Sequence, residues 1–409
     1  MNQQQAELAI VFFKEIRTLV QRRIVGQDEA ISGLIAALMT GGHVLLEGNP
    51  GLGKTTLAKV FAQSLKLGDS TAQGGGAAGE GEGYGRIQFT PDLLPSDITG
   101  AGIPDPANPT KLIFQPGPIF RELLLADEIN RATPKTQSAM LEAMAERQVT
   151  VMGRVHRLVR DVSVFVAGRN LIARTPFMVV ATQNPIDQDG TYDLPEAQAD
   201  RFQTKLLMVQ PPTEDLMRIV EREAMGQKGS DDASAGTQLE TFTRDQCLFY
   251  LDSLRRQIEV AEVPRSVLLH AAHIVQATNG PEFIADLNIH RARGDELREF
   301  VETFVDIPLG PRTAIAIILV AKVHALMATD RAKADQWPAQ LPRELIRLAP
   351  TVLRHRLKLK MGWEEIARRT VSKGANLTDE ALRDRIITRL VAMCAPQDGD
   401  YARAFSSWL

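Results

Sequence analysis

Apolar residues recur at helical spacing over residues 6–22 and again over 27–40, so the chain is predicted to open with two amphipathic helices. The pattern then changes. His43 to Glu47 is a short apolar run closed by turn residues, as expected of a strand buried on both faces. A helix over 54–67 follows, and further short apolar runs stand at 86–90, 123–126 and 177–181. Between them, residues 134–147 read as a helix with Thr133 as N-cap and Pro134 in its first turn. Val149 and Val151 alternate ahead of Gly153, a hairpin signal. Buried strands alternating with helices predict an open, mostly parallel α/β sheet.

Beyond about residue 242 strand signals become sparse, and helices are expected near 243–257, 264–278, 311–328, 342–358 and 377–394. The run 313–328 is the most apolar. Lys322 and His324 interrupt it and it is short for a membrane span, so it reads as a buried helix. Two stretches rich in Gly and small or polar residues punctuate the chain, 68–85 and 226–236. The first reads as a flexible surface insertion. Its glycines do not make a dinucleotide fingerprint, because Tyr84 and Arg86 fall where the third Gly of GxGxxG would stand. The second marks a linker. The expected division is a nucleotide-binding core over 1–226, a linker over 227–242, and a helical domain over 243–409 with an insertion near 279–307.

Composition narrows the classes. At 409 residues the chain has room for two or three domains, each with its own core. A formal net charge of −3 gives no electrostatic case for non-specific nucleic-acid binding. Cys247 and Cys394 have no near partners, which excludes a disulfide framework or a CxxC metal site and suits a reducing, cytoplasmic compartment. Residues 1–17 lack the basic start, long apolar stretch and cleavage site of a signal peptide.

The strongest chemical signal is Gly48-Asn49-Pro50-Gly51-Leu52-Gly53-Lys54-Thr55, followed by Thr56. It fits GxxxxGK[ST] at every fixed position and lies between a predicted strand and a predicted helix, where the mechanism needs it. Glycines let backbone N–H groups curl around phosphate oxygens, Lys54 reaches the β- and γ-phosphates, and the Thr55 hydroxyl ligates Mg²⁺. A chance glycine loop lacks that context. The second signal is Leu123-Leu124-Leu125-Ala126-Asp127-Glu128, an apolar strand that delivers two carboxylates to the sheet edge where ligands bind in such folds. Asp127 would hold the Mg²⁺ shell and Glu128 would activate the attacking water. A strand ending in Asp-Glu is common, and it gains its meaning from the P-loop upstream.

Three further signals are each ambiguous alone. Asn184, at the end of the 177–181 strand, suits positioning of a water beside the γ-phosphate, or merely opens a turn before Pro185. Arg201, in Asp200-Arg201-Phe202, suits an arginine finger or a surface ion pair. Arg312, in the first turn of a helix begun by Gly310-Pro311, suits a phosphate sensor or a plain helix-surface residue.

These five signals stand in the order of the AAA+ ATPases. Three stretches resemble the MoxR family more closely: residues 86–100, residues 117–132, and residues 181–202, the last containing Ala181-Thr182-Gln183-Asn184-Pro185 and Leu194-Pro195-Glu196-Ala197-Gln198-Ala199-Asp200-Arg201-Phe202. The resemblance covers about 20–225 well and the helical region more weakly. It implies an α/β P-loop NTPase core with a parallel sheet and inserted hairpins, followed by a smaller all-helical lid. It assigns Walker A to Gly48, Asn49, Pro50, Gly51, Leu52, Gly53, Lys54, Thr55 and Thr56, and Walker B to Asp127 and Glu128. It makes Asn184 the first sensor, Arg201 the finger and Arg312 the second sensor. It also implies ATP and Mg²⁺ as cofactors and a homo-oligomer, a hexameric ring with ATP between subunits. The activity implied is chaperone-like, on a protein client such as a von Willebrand factor A domain protein, through remodelling, assembly or metal insertion. The loop 102–111 would belong to a hairpin directed at the ring pore, or be an ordinary surface hairpin.

The chain departs from the family pattern at 68–85, at 154–174, which is longer than the resemblance predicts, and at 279–307. Such insertions are where partner specificity resides. Two readings from other classes stay open: a nucleic-acid motor or regulator, against which stand the acidic net charge and the lack of a reading module, and a nucleotide-gated scaffold with little turnover; a faint helix-turn-helix pattern at 362–390 is better read as the structural tail of the lid. Within the enzyme class, a metal-chelatase motor subunit or a Rubisco-activating ATPase is not separated from the leading reading.

Overall fold

The computed structural model describes residues 1–67, 83–185, 191–192, 194–224, 238–285, 287, 289, 291–372, 375, 377–397 and 401. The insertion expected at 68–85 and the linker at 227–242 lie largely outside them. The chain forms two compact units, one of residues 11–202 and 206–257, the other of 1–10, 203–205 and 258–409.

Along the chain come α1 (Gln3–Gln21), α2 (Asp28–Thr40), β1 (Val44–Glu47), α3 (Lys54–Ser64), β2 (Tyr84–Gln88) and α4 (Pro95–Thr99). The hairpin β3 (Gly100–Asp105) and β4 (Asn108–Pro116) precedes β5 (Leu123–Asp127) and α5 (Pro134–Glu146). Two more hairpins follow, β6 (Gln148–Val151) with β7 (Arg154–Arg157), and β8 (Asp161–Val166) with β9 (Arg169–Arg174). Then come β10 (Met178–Gln183), α6 (Glu196–Ala199), β11 (Thr204–Leu207), α7 (Thr213–Ala224), α8 (Gln238–Thr241) and α9 (Arg244–Val260).

The central sheet has the order β11-β1-β10-β5-β2. The β1–β10, β10–β5 and β5–β2 pairings are all parallel, as the sequence pattern predicts. Every residue of β1 and β5 is buried, which is why these strands read as unbroken apolar runs. One face of the sheet packs a core in which Leu45, Leu124, Ala126 and Val179 meet Phe89, Ile129, Met140 and Phe202. The β2 strand begins two residues earlier than the apolar run suggests, since Tyr84 and Gly85 pair with Leu123 and Leu124.

Two local expectations need adjustment. Thr133 stands at the N-cap of α5, but its hydroxyl lies 3.2 Å from Thr136 Oγ1 and caps no backbone N–H. The extra length at 154–174 is a complete second hairpin, β8–β9, with Val164, Val166 and Ala173 buried on one face.

The second unit is mainly helical: α10 (Arg265–Thr278), α11 (Pro281–Ile284), α12 (Arg291–Phe304), β12 (Val305–Ile307), α13 (Pro311–Met327), α14 (Leu341–Leu353), β13 (Lys358–Leu359), α15 (Trp363–Thr370) and α16 (Asp379–Met393). Helix α14 ends five residues short of the expected 358, because Lys358 and Leu359 pair antiparallel with β12 from the 279–307 insertion. Helix α13 is the buried apolar helix. Its Lys322 ammonium donates to the carbonyls of Ile258 (3.0 Å) and Glu259 (3.2 Å) at the end of α9, so the buried charge is met by carbonyl oxygens of a helix end. No helix among the described residues is long and apolar enough to cross a membrane.

The pattern change near 243 and the packing divide α9 differently. Packing keeps residues up to 257 with the α/β unit. Arg244 there pairs with the buried Glu122 carboxylate at 2.5 Å, and Asp245 accepts the Phe165 N–H at 2.7 Å.

His43 couples this fold to pH. Its Nδ1 accepts the Val179 N–H at 3.0 Å and its Nε2 lies 3.2 Å from the Met144 carbonyl, an arrangement only the neutral imidazole completes. Burial pushes its pKa down to about 4, although the bond to Met144 opposes this. The unfolded chain therefore takes up a proton near pH 6.5 that the folded chain refuses until about 4. This contribution is intact above pH 6.5 and is lost as pH falls toward 4, by on the order of 3 kcal/mol. Urea unfolding from pH 7.5 to 4.5 checks this. A His43→Gln chain is expected to be less stable at pH 7.5 and to have a flatter profile below 6.5, and an unchanged slope would remove His43 as the source.

Candidate functional site: a phosphate loop facing two carboxylates

The loop between β1 and α3 places Gly48 where a Cβ would lie 2.7 Å from the Met208 carbonyl oxygen, so only glycine lets the chain leave the sheet there. Gly51 and Gly53 hold φ of +85° and +80°, and a Cβ at either would meet nothing within 4 Å. These glycines are needed for backbone direction, since the left-handed region disfavours other residues. Gly53 is the residue before α3, and residues 49–51 are exposed. Amide groups of a loop that turns into the positive end of an 11-residue helix form an anion cradle open to solvent.

The Lys54 ammonium folds over that loop. It donates to the Gly48 carbonyl and, more distantly, to the Asn49 carbonyl (3.4 Å) and Asn184 Oδ1 (3.5 Å). Burial lowers its pKa, and Asp127, Glu128 and Glu47 work against that shift. Three carboxylates around one ammonium leave it a cation suited to a polyphosphate.

Asp127 ends β5 and is nearly buried. Its Oδ1 accepts from Thr182 Oγ1 at 2.6 Å. Its Oδ2 accepts from Thr55 Oγ1 at 3.1 Å and from Arg86 Nε and Nη2 at 3.1 and 2.7 Å. Burial alone would raise its pKa, but the bonds from Thr182, Arg86 and Thr55 outweigh burial and hold the group below the ordinary carboxylate range. The Thr55 hydroxyl and the ionised Asp127 are adjacent hard oxygen donors, and that donor set fits Mg²⁺.

Glu128 follows with φ 56° and ψ 52°, a left-handed conformation rare for a glutamate. Its N–H donates to Thr182 Oγ1 at 2.8 Å, so one buried hydroxyl bridges the Asp127 side chain and the Glu128 backbone. Glu128 Oε2 accepts from Gln88 Nε2 at 2.7 Å and Arg131 Nη1 at 2.9 Å. The other oxygen, Oε1, has no partner among the described residues. Strain at a carboxylate held in this way is of the kind concentrated at functional sites.

The structure thus brings together Lys54, Thr55, Asp127 and Asn184, with Glu128 beside Asp127. Arg201 sits on a different segment of the chain. It follows α6, with its N–H on the Gln198 carbonyl at 3.1 Å, and Phe202 beside it is sunk in the core. No hydrogen bond or ion pair among the described residues joins its guanidinium to the cluster. Arg312 lies exposed in the first turn of α13, in the helical unit.

Four contributors escaped the reading of the sequence. Thr182 stands one residue past the predicted 177–181 strand, within the 181–202 stretch. Arg86 and Gln88 lie on β2, the edge strand beside β5. Buried Gln137 donates to the carbonyls of Ile129 (3.2 Å), Ala132 (3.1 Å) and Tyr192 (3.3 Å), and so ties the turn after Glu128 to the segment leading to Arg201. None of these has a local signal, because each depends on which strands become neighbours.

Comparison with known proteins agrees with this geometry. A family model described as "ATPase family associated with various cellular activities (AAA)" matches residues 43–204. The chain is 34% identical to "Chaperone MoxR1" of Mycobacterium tuberculosis over 342 residues, which is 83% of this chain and 74% of that protein. It is 33% identical to "Uncharacterized protein YeaC" of Bacillus subtilis over 340 residues, 83% of this chain and 85% of the other. A crystal structure from Cytophaga hutchinsonii, described provisionally as an ATPase, superimposes with a TM-score of 0.65 at 28% identity, covering 92% of this chain and 98% of that one. The nucleotide-binding fold, the phosphate loop and these relatives place the chain in the MoxR family of AAA+ ATPases.

Proposed function

We propose that the chain hydrolyses ATP as a subunit of a homo-oligomeric ring, a hexamer by family analogy, and uses the cycle to remodel or mature a protein client. The observation that carries this reading is the Asp127–Glu128 pair: one carboxylate kept ionised against burial and bonded to Thr55, the other held through Oε2 with Oε1 unpartnered among the described residues, and both acting on the Lys54 charge. A domain that only bound nucleotide would have no use for the second carboxylate.

The loop amides and Lys54 bind the β- and γ-phosphates, and Thr55 and Asp127 hold Mg²⁺. When bound, the metal neutralises charge that builds on the phosphate oxygens. Glu128 accepts the proton of the attacking water at Oε1 while Gln88 and Arg131 fix the carboxylate through Oε2. Asn184, within reach of Lys54, orients the water or the γ-phosphate. Arg201, carried by a core-anchored turn, acts in trans as the finger for a neighbouring subunit's ATP. By family resemblance Arg312 is the proposed second sensor. A client bearing a von Willebrand factor A domain is the family-based candidate, and "Chaperone MoxR1" supports the chaperone class through its name.

Three measurements test this reading. Specific ATPase activity is expected to rise with protein concentration and to vanish in Glu128→Gln; a chain that binds ATP without turnover at any concentration returns the scaffold reading. Arg201→Ala is expected to keep ATP affinity within about threefold while turnover drops roughly 10³-fold. Mixed with Glu128→Gln subunits it should regain activity, and mixtures as inactive as their parts would exclude action in trans. Thr182→Val leaves Asp127 Oδ1 and the Glu128 N–H without their partner, so turnover should fall about tenfold or more with nucleotide affinity largely kept. Unchanged turnover would show that the hydroxyl bridge does not position the carboxylates.

A further inference from the structure

The α/β unit carries two apolar surfaces that its own core does not cover, and their charges are opposite. The first is the β8–β9 hairpin. Its inner face is anchored by Val164, Val166 and Ala173, and the Asp245 carboxylate fixes the Phe165 N–H, so the hairpin is held in place. On the outer face the register pairs Ser163 with Ile172 and Phe165 with Asn170, which makes Phe165 and Ile172 diagonal neighbours. They are 60% and 62% exposed. An outward strand face normally alternates to polar residues, and here it presents a two-residue apolar knob. Around it the segment 154–174 carries Arg154, Arg157, Arg160, Arg169 and Arg174 against Asp161 alone, a balance of +4. Arg154, Arg157 and Arg169 have no ion-pair partner among the described residues.

The second surface is α7. Leu216, Met217 and Val220 fall within one third of the helix circumference, the pattern of a helix that faces a core, yet they are 39%, 58% and 55% exposed. Among its described side chains the helix carries Glu214, Asp215 and Glu221 against Arg218, a balance of −2. Asp215 is engaged by Arg218, while Glu214 and Glu221 have no partner among the described residues. A 12-residue helix is marginal on its own in water, so covering this stripe would stabilise it.

We propose that the β8–β9 hairpin of one subunit docks on α7 of a second copy of this chain, with Phe165 and Ile172 covering the Leu216, Met217 and Val220 stripe and arginines meeting Glu214 and Glu221. Two different patches on one chain make a heterologous contact, the type that closes into a ring when the rotation permits. The inference rests on the ring reading for its setting and assigns that ring a specific interface. An acidic client peptide or a nucleic acid on the hairpin are the other occupants. Charge complementarity between surfaces of the same chain favours the second copy, because it explains the uncovered helix as well as the hairpin.

Sedimentation velocity of the full chain across concentration, with Mg²⁺ and a non-hydrolysable ATP analogue, tests the contact. Arg169→Glu/Arg174→Glu, Glu214→Arg/Glu221→Arg and Phe165→Ser/Ile172→Ser are each expected to raise the midpoint of assembly roughly tenfold or more. Circular dichroism melts and nucleotide affinity should stay at native values, since none of these residues belongs to the phosphate site. Combining the two charge reversals in one chain should bring the midpoint back to within about threefold of native. A native chain that assembles while all three variants assemble equally well overturns the contact and leaves the ring reading standing. Reversals that weaken assembly separately and fail to rescue together also overturn it. A native chain that stays monomeric throughout overturns both.

Discussion

A carboxylate buried at the end of a buried strand is costly unless donors surround it, and Asp127 shows how the α/β unit meets that constraint. Its donors come from three places: Thr55 in the phosphate loop, Thr182 on β10 and Arg86 on β2. Each can reach Asp127 only if the sheet order sets β10 on one side of β5 and β2 on the other, with β1 next to β10. The same carboxylate therefore reports that the sheet is correctly assembled and serves as the candidate metal ligand. Thr182 links this to Glu128, because its hydroxyl donates to one residue and accepts from the backbone of the next. The left-handed turn at Glu128 fits this arrangement, since the chain must reverse sharply to deliver both the N–H to Thr182 and the side chain to Gln88 and Arg131.

What the sequence disclosed follows from how local each signal is. The phosphate loop was legible in full, because strand, glycines, lysine and helix occupy one continuous stretch and each glycine answers a backbone requirement within it. The buried strands were legible because parallel pairing hides both faces and leaves an unbroken apolar run. Arg86, Gln88, Thr182 and Gln137 were not, for the opposite reason. Their partners lie from 5 to 55 residues away in the chain, and only the strand order or a turn packed against α5 brings them together. The second hairpin at 161–174 registered only as excess length. Its alternation is clear once its inner face is known to be buried, but Phe165 and Ile172 on the outer face obscure the apolar–polar period.

The helical unit illustrates a further limit. In the sequence Lys322 and His324 argue against a membrane span, and the fold gives both of them partners. Lys322 closes the carbonyl end of α9, and His324 Nδ1 meets Arg347 Nη2 at 2.9 Å. A polar residue in an apolar helix thus marks where another element arrives, although the sequence cannot say which one. The early end of α14 has the same origin: Lys358 and Leu359 are helix-compatible residues claimed by a strand from the insertion.

The distribution of satisfied and unsatisfied polar groups then separates the interior from the two surfaces proposed to meet a second copy. Around the phosphate loop nearly every charged group is already engaged, so that site is organised within a single chain, and only the proposed finger, Arg201, would come from a neighbour. On the β8–β9 hairpin and α7 the balance is reversed, with Arg169, Glu214 and Glu221 without an ion-pair partner among the described residues and beside exposed apolar side chains. An interior that completes itself beside such edges is the physical condition that the proposed contact between copies would meet. Hydrolysis that depends on Arg201 in trans and assembly that depends on the hairpin would then be coupled by construction. Both surfaces belong to the same α/β unit as the phosphate loop, so any shift of that unit during turnover is carried to them directly.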